Sequence, residues 1–313
     1  MTKRTSPSSA KLFLVLPSHE RLLRALGRYE RLTAEQTRRL LFGAGSLTYV
    51  QATYRELARH GYVLRVLVGR PAPHGSGPLV HSLDRRGRAY LCALGMDVPR
   101  RLRQSEERTC SSLHLRHSIA VADVLILGEL FCRQNPAFAI AQMRGERELK
   151  SRPVRVVLPD GKARGVAIDA WMDLRINHPE GGTEQLCLAF EVDGGTEWQT
   201  AWCGKVRALL AFERGAYGEA FGVDSLTIVV VAPADTRRDQ LLHWTARELA
   251  AQHADDRADL FRFGTMPEDP ADAASFFLAL RWHIPGQEGP APLIEGEGEA
   301  ADTDGDMDNC LDE

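Results

Sequence analysis

The apolar positions of the chain fall into runs whose spacing switches several times between helical and extended. Over 18–30 (SHERLLRALGRYE), Leu22, Leu23 and Leu26 share one face of a helix. Thr33 stands at an N-cap position with Gln36 three residues on. That capping box opens a second helix carrying Leu40 and Leu41. Gly43 and Gly45 close it. Ser46 or Thr48 starts a third helix with a core face of Tyr54, Leu57 and Ala58, ending at His60-Gly61. Two β-rich runs follow, 62–68 (YVLRVLV) and 78–83 (PLVHSL), joined by a turn-rich segment, and Asp84 caps a short helix to Leu94.

Beyond the polar stretch 98–112 the pattern changes. An amphipathic helix is predicted over 115–133, stopping before Asn135-Pro136, then a strand with a charged end over 138–149. Residues 154–176 offer two strands split at Pro159-Asp160-Gly161, a turn signature, and 184–193 offers another. A long helix is predicted over 198–218. The unbroken apolar run 225–233 reads as a covered central strand. A helix over 236–253 and a strand over 260–266 end the series. From 286 onward Gly, Pro, Ala, Glu and Asp dominate, the composition of a disordered tail.

The first set of elements, three helices, a two-stranded wing and a closing helix, makes a winged helix-turn-helix domain over 18–97, behind an N-terminal arm at 1–17. Residues 98–112 form a linker. The second set, over 113–285, runs α-β-β-β-α-β-α-β and resembles the restriction-endonuclease-like α/β fold with a mixed sheet. An acidic tail, 286–313, completes the division.

Charge follows the same division. Residues 1–110 carry 20 Lys and Arg against 8 Asp and Glu, a net of +12. Residues 286–313 carry 10 acids and no base. A basic first domain is the electrostatic footprint of nucleic-acid binding, because Lys and Arg release counterions from phosphates. On the third helix Thr48, Tyr49, Gln51 and Thr53 are candidate base readers, and Arg55 and Arg59 candidate phosphate contacts. Arg65 and Arg70, from the wing, add contacts to phosphate or the minor groove. No run approaches the ~18 apolar residues of a membrane span, and the apolar stretch 12–16 is too short for a signal peptide, so a cytoplasmic location is expected. The six cysteines lack the two-residue spacing of a zinc site or redox dithiol, and most read as reduced core residues.

Nuclease chemistry on such a fold needs carboxylates on adjacent strands to hold Mg²⁺, and a lysine to steady charge on the phosphate. Asp169 lies mid-strand in VAIDAWMDL. Glu191 and Asp193 end the next strand and, two apart, point to one face. The residue two after the Glu is usually Lys and here is Asp193; Lys205, in the following helix, is the substitute. Glu148 could add a carboxylate from the first strand. The rival reading is a surface acid cluster or a decayed site. DTDGDMDNCLDE at 302–313 imitates an EF-hand loop, but Gly305 falls at position four where position six is needed. No nucleophile elbow and no P-loop is found.

Through RYERLTAEQTRRLLF (28–42), VHSLDRRGRAYL (80–91), LRHSIAVADVLI (115–126), IDAWMDL (168–174) and above all FEVDGGTEWQTAWCGKVRALLAF (190–212), the chain resembles the replication-relaxation family of plasmid- and mobile-element-associated bacterial proteins. Glu191, Asp193, Gly195, Thr196, Glu197 and Lys205 fill the family's positions, while Gly194 replaces its arginine. The resemblance implies a winged helix plus a nuclease-like domain acting on plasmid or element DNA.

The leading reading is a DNA-binding protein that controls replication or maintenance of a plasmid or mobile element, its nuclease-like domain serving as scaffold or dimerisation unit. The alternatives are a Mg²⁺-dependent nuclease or nickase using Asp169, Glu191, Asp193 and Lys205, with Asp169 and Glu191 on the metal, and a winged-helix transcriptional repressor. The expected partners are double-stranded DNA, a second copy of the chain and a replication or mobile-element protein.

Overall fold

A computed structural model describes residues 13–69, 77–98 and 108–295. Helix α1 (Pro17–Tyr29) starts with proline at its first turn, where the missing N–H costs nothing, and buries Leu22, Leu23 and Leu26. A short strand, β1 (Arg31–Thr33), follows; the hydrophobic pattern gives no sign of it because three residues carry no periodicity. Helix α2 (Ala34–Leu41) opens with the expected capping box: Thr33 Oγ1 accepts from Gln36 N at 3.1 Å, and Thr33 N donates to Gln36 Oε1 at 2.9 Å. Helix α3 (Leu47–Arg59) buries Val50, Thr53, Tyr54 and Leu57. Strands β2 (Val63–Leu67) and β3 (Leu79–Leu83) pair antiparallel, and β1 adds to the far side of β3. Helix α4 (Arg85–Ala93) has Asp84 as its N-cap, accepting from Arg85 N at 2.6 Å. Gly87 lets α4 sit against the start of β2; a Cβ there would fall 2.2 Å from the Tyr62 carbonyl oxygen.

Helix α5 (Ser112–Gln134) is followed by β4 (Phe138–Arg144). The strand expected over 138–149 ends early, and residues 146–151 form helix α6 (Glu146–Ser151), with Glu146 and Lys150 paired one turn apart. Strands β5 (Val154–Val157) and β6 (Ala163–Val166) make a separate hairpin whose turn holds Gly161 at φ 79°. Then come β7 (Ala170–Asn177), β8 (Thr183–Val192), α7 (Gln199–Ala211), α8 (Tyr217–Phe221), β9 (Thr227–Ala232), α9 (Asp235–Ala251), β10 (Phe261–Thr265), α10 (Ala273–Leu278), β11 (Trp282–His283) and β12 (Pro290–Ala291). The single helix expected over 198–218 is broken between α7 and α8, where Gly215 takes φ 157°.

Seven strands form a mixed sheet in the order β12-β11-β10-β9-β8-β7-β4, with β8, β9 and β10 parallel. Helices α5 and α10 cover one face, packing Val121, Leu125 and Phe277 against Phe190 and Val229. Helices α7 and α9 cover the other, packing Trp202, Val206 and Leu241 against Ala189 and Val230. The first core runs on without a gap into Leu22, Leu26, Leu40 and Tyr54, so the N-terminal helices share it with the sheet. Polar contacts strengthen that seam. Arg39 pairs with Asp123, and Gln36 Nε2 donates to the Ile119 carbonyl at 2.8 Å.

Two expectations need correction. The chain does not leave the fold at 286: β12 pairs with β11, and Leu293 and Ile294 are buried, Ile294 N donating to the Phe277 carbonyl at 2.9 Å. Those two apolar residues stand in a Gly- and Pro-rich context that masks them. Fewer cysteines lie in the core than expected. The five described ones are free thiols, of which Cys187 is buried and Cys92 exposed. The calcium-loop look-alike at 302–313, most of the linker and the N-terminal arm lie outside the described residues. Among the described residues, no helix is long and apolar enough to cross a membrane.

Candidate functional site

The antiparallel pairing of β7 with β8 sets Ala170 opposite Phe190, so Asp169, just before β7, lies beside Glu191 near the end of β8. The Asp169 backbone N donates to the Phe190 carbonyl at 3.0 Å. Its carboxylate is divided between two sides. Oδ2 accepts from Val192 N at 3.0 Å, and Oδ1 faces His117 Nε2 at 3.0 Å and Lys150 Nζ at 3.1 Å. Burial alone would raise the Asp169 pKa. The hydrogen bond from His117 and the charges of His117, Lys205 and Lys150 outweigh it and hold the group ionised, well below the usual carboxylate range. Burial likewise opposes charge on His117, yet Asp169 and Glu146 raise its pKa above the ordinary value.

Glu146 completes this side of the cluster. Its Oε1 lies 2.6 Å from Lys150 Nζ and 3.5 Å from His117 Nε2. Its Oε2 accepts from Ser118 Oγ at 3.2 Å, and that hydroxyl accepts from Arg31 Nη1 of β1 at 3.0 Å. Three elements, α5, α6 and the start of β7, therefore converge. Sequence reasoning singled out Glu148 here, not Glu146. Glu148 is exposed on α6, 3.7 Å from Arg144, because the segment is helical and turns it outward. His117 and Lys150 were missed as well. The His114-x-x-His117 spacing, which sets both imidazoles on one helix face, was the available signal.

Glu191 and Asp193 both turn toward the layer of α7 and α9, but different helices take them. The Lys205 ammonium of α7 lies 2.6 Å from Glu191 Oε2 and 3.4 Å from Glu197 Oε1. Glu191 Oε1 is buried without a hydrogen-bond partner. Burial pushes the Glu191 carboxyl up to about 7, against the pull of Lys205; burial opposes charge on Lys205, and the carboxylates of Glu191, Asp169 and Glu197 more than offset it. Asp193 is drawn off by α9: Arg237 Nε and Nη2 reach its two oxygens at 2.7 and 3.3 Å, and Gly195 N donates to Oδ2 at 3.0 Å. Arg237 Nη2 also donates to the Glu197 carbonyl at 2.8 Å, so Asp193 braces the turn that leads into α7.

On the N-terminal unit, Thr48, Tyr49, Gln51, Arg55 and Arg59 lie along α3 with at least part of each side chain open to solvent, and Arg65 is exposed on β2. Thr53 is not a base reader. It lies three residues after Val50 on the buried stripe, and its hydroxyl donates to the Tyr49 carbonyl at 2.9 Å. Arg70 lies outside the described residues. Other arginines of this unit are occupied internally: Arg24 pairs with Glu20, Arg38 with Glu35, and Arg39 with Asp123. Among the described residues, Arg55, Arg59 and Arg65 pair with no acid.

The chain is thus a mixed α/β protein with a buried cluster of carboxylates, amines and imidazole across β7 and β8, and a separate row of unpaired arginines on its N-terminal unit. The replication-relaxation family matches residues 23–220, more than half of the chain, and the chain belongs to that family. No curated protein and no solved structure matches it.

Proposed function

We propose that this member of the replication-relaxation family binds double-stranded DNA and controls replication or maintenance of a plasmid or mobile element. The reading takes α1 to α4 with β2 and β3 as a winged helix, α3 as the helix in the major groove and the β2–β3 hairpin as the wing. One observation carries it. Arg55, Arg59 and Arg65, which pair with no acid among the described residues, lie on α3 and the hairpin, together with Thr48, Tyr49 and Gln51. Unpaired arginines on one surface favour a polyanion. The nuclease-like sheet then serves as scaffold, for a second copy of the chain or for a replication protein. The test is a mobility-shift titration at several salt concentrations. Arg55→Ala/Arg59→Ala should weaken binding to every sequence and flatten the salt slope by about 0.9 for each phosphate that is no longer neutralised. Unchanged affinity and slope would reject the assignment.

A second reading, a metal-dependent nuclease or nickase, draws support from Asp169 and Glu191 lying side by side with Lys205 at hand. Asp193, held by Arg237, takes no part in it. Supercoiled plasmid incubated with Mg²⁺ or Mn²⁺ should be nicked by the native chain and left intact by Asp169→Ala/Glu191→Ala if this reading holds.

A further inference from the structure

We propose that His117, Glu146 and Asp169 form a binding site for one divalent cation of the Mn²⁺ or Zn²⁺ type. It shares Asp169 with the Asp169–Glu191 pair expected from the sequence but takes its other two ligands from α5 and α6, and it does not depend on DNA binding by α3. One ligand atom from each of the three residues lies within 4.8 Å of the other two. His117 Nε2 is 3.0 Å from Asp169 Oδ1 and 3.5 Å from Glu146 Oε1. Ligands at about 2.1 Å from a metal are separated by roughly 3.0 Å along an octahedral edge and roughly 3.4 Å along a tetrahedral one. The two spacings from His117, 3.0 and 3.5 Å, fall in that range.

The outer contacts are those of a built site. Asp169 Oδ2 is held by Val192 N and Glu146 Oε2 by Ser118 Oγ, which fixes each carboxylate and turns its other oxygen to the shared point. A cation already occupies that point. The Lys150 ammonium lies 2.6 Å from Glu146 Oε1 and 3.1 Å from Asp169 Oδ1, on a half-exposed side chain of the six-residue helix α6 that can swing away. Glu191, on the neighbouring strand and paired with Lys205, lies outside this group of three. One imidazole with two carboxylates favours a borderline cation over Mg²⁺ or Ca²⁺, which prefer oxygen alone.

The experiment is calorimetric titration of the full chain with Mn²⁺, and separately with Mg²⁺, alongside thermal unfolding. One Mn²⁺ per chain should bind at least about tenfold more tightly than Mg²⁺ and raise the melting temperature. Glu146→Gln and His117→Ala should each weaken it by at least about tenfold. Lys150→Met gives the sharper test, because removing the competing ammonium should tighten Mn²⁺ binding, whereas a purely structural ion pair would leave it unmoved. Arg55→Ala/Arg59→Ala should bind Mn²⁺ as the native chain does, so a failure of DNA binding and a failure of metal binding are told apart. No saturable Mn²⁺ binding, or binding indifferent to both Glu146→Gln and Lys150→Met, would overturn the site.

Discussion

Lys205 Nζ approaches Glu191 Oε2 to 2.6 Å at the buried boundary between α7 and β8, and this ion pair holds two parts of the fold in register. Glu191 belongs to the central sheet, whereas Lys205 belongs to the helix that follows the turn braced by Asp193 and Arg237. A buried pair broken on one side leaves an uncompensated charge and costs about 3–5 kcal/mol. Lys205→Met should therefore destabilise the chain strongly. The cost has a pH signature. Burial holds the Glu191 carboxyl above its ordinary 4.5, so the folded state binds its proton more readily than the unfolded state does. Without Lys205 that difference widens. Urea unfolding of Lys205→Met should show a larger deficit at pH 8 than at pH 5.5, and adding Glu191→Gln should recover most of it. A deficit equal at both values would show that Lys205 acts through packing alone.

Truncation separates the packed C-terminal segment from the acidic residues after it. Leu293 and Ile294 are buried against the core that includes Phe277, and each such side chain contributes about 1.5–3 kcal/mol. Ending the chain after Glu295 should leave the melting temperature nearly unchanged. Ending it after Pro285 should lower it by several degrees, through removal of β12 and of those two residues. Equal melting temperatures for the two truncations would contradict the packing of 286–295.

What was legible in the sequence followed from local chemistry. The Thr33–Gln36 box and the Asp84 cap announce their helices with side chains that satisfy specific backbone N–H groups. The apolar run 225–233 announces a strand covered on both faces. Asp169 and Glu191 could be set side by side because β7 and β8 are consecutive strands joined by a short turn. What was not legible depended on packing between distant segments. A histidine on α5 gives no hint of its partners until β7 and α6 are laid against it. Glu146 rather than Glu148 joins the cluster because a six-residue helix replaces the end of a strand, and so short an element carries no period to read. Thr53 is different: its three-residue offset from Val50 already put it on the buried stripe of α3.

His81 makes the stability of the N-terminal unit depend on pH. It sits on β3, stacked on Tyr54 of α3 with ring centroids 3.8 Å apart, and its Nδ1 donates to the Leu32 carbonyl at 3.2 Å. Burial pushes its pKa down to about 4; the Leu32 carbonyl pulls it up, and Arg65 pushes it further down. The unfolded chain takes a proton at this residue near pH 6.5, while the folded one does so only near pH 4. Between those values the unfolded state holds more protons, so stability falls as the pH falls through the window. The full difference approaches about 3 kcal/mol at the acid end, from 1.36 kcal/mol per pKa unit. The imidazole backs α3 through Tyr54, so its protonation should loosen the seat of that helix first. His81→Leu removes the titrating group, at the cost of leaving the Leu32 carbonyl unpaired, which is worth about 1 kcal/mol at pH 7. Urea unfolding at pH 7.0, 5.5 and 4.5 should then show the variant less stable than the native chain at neutral pH and catching up as the pH drops. Two curves that stay parallel across the window would mean that His81 does not carry the acid sensitivity.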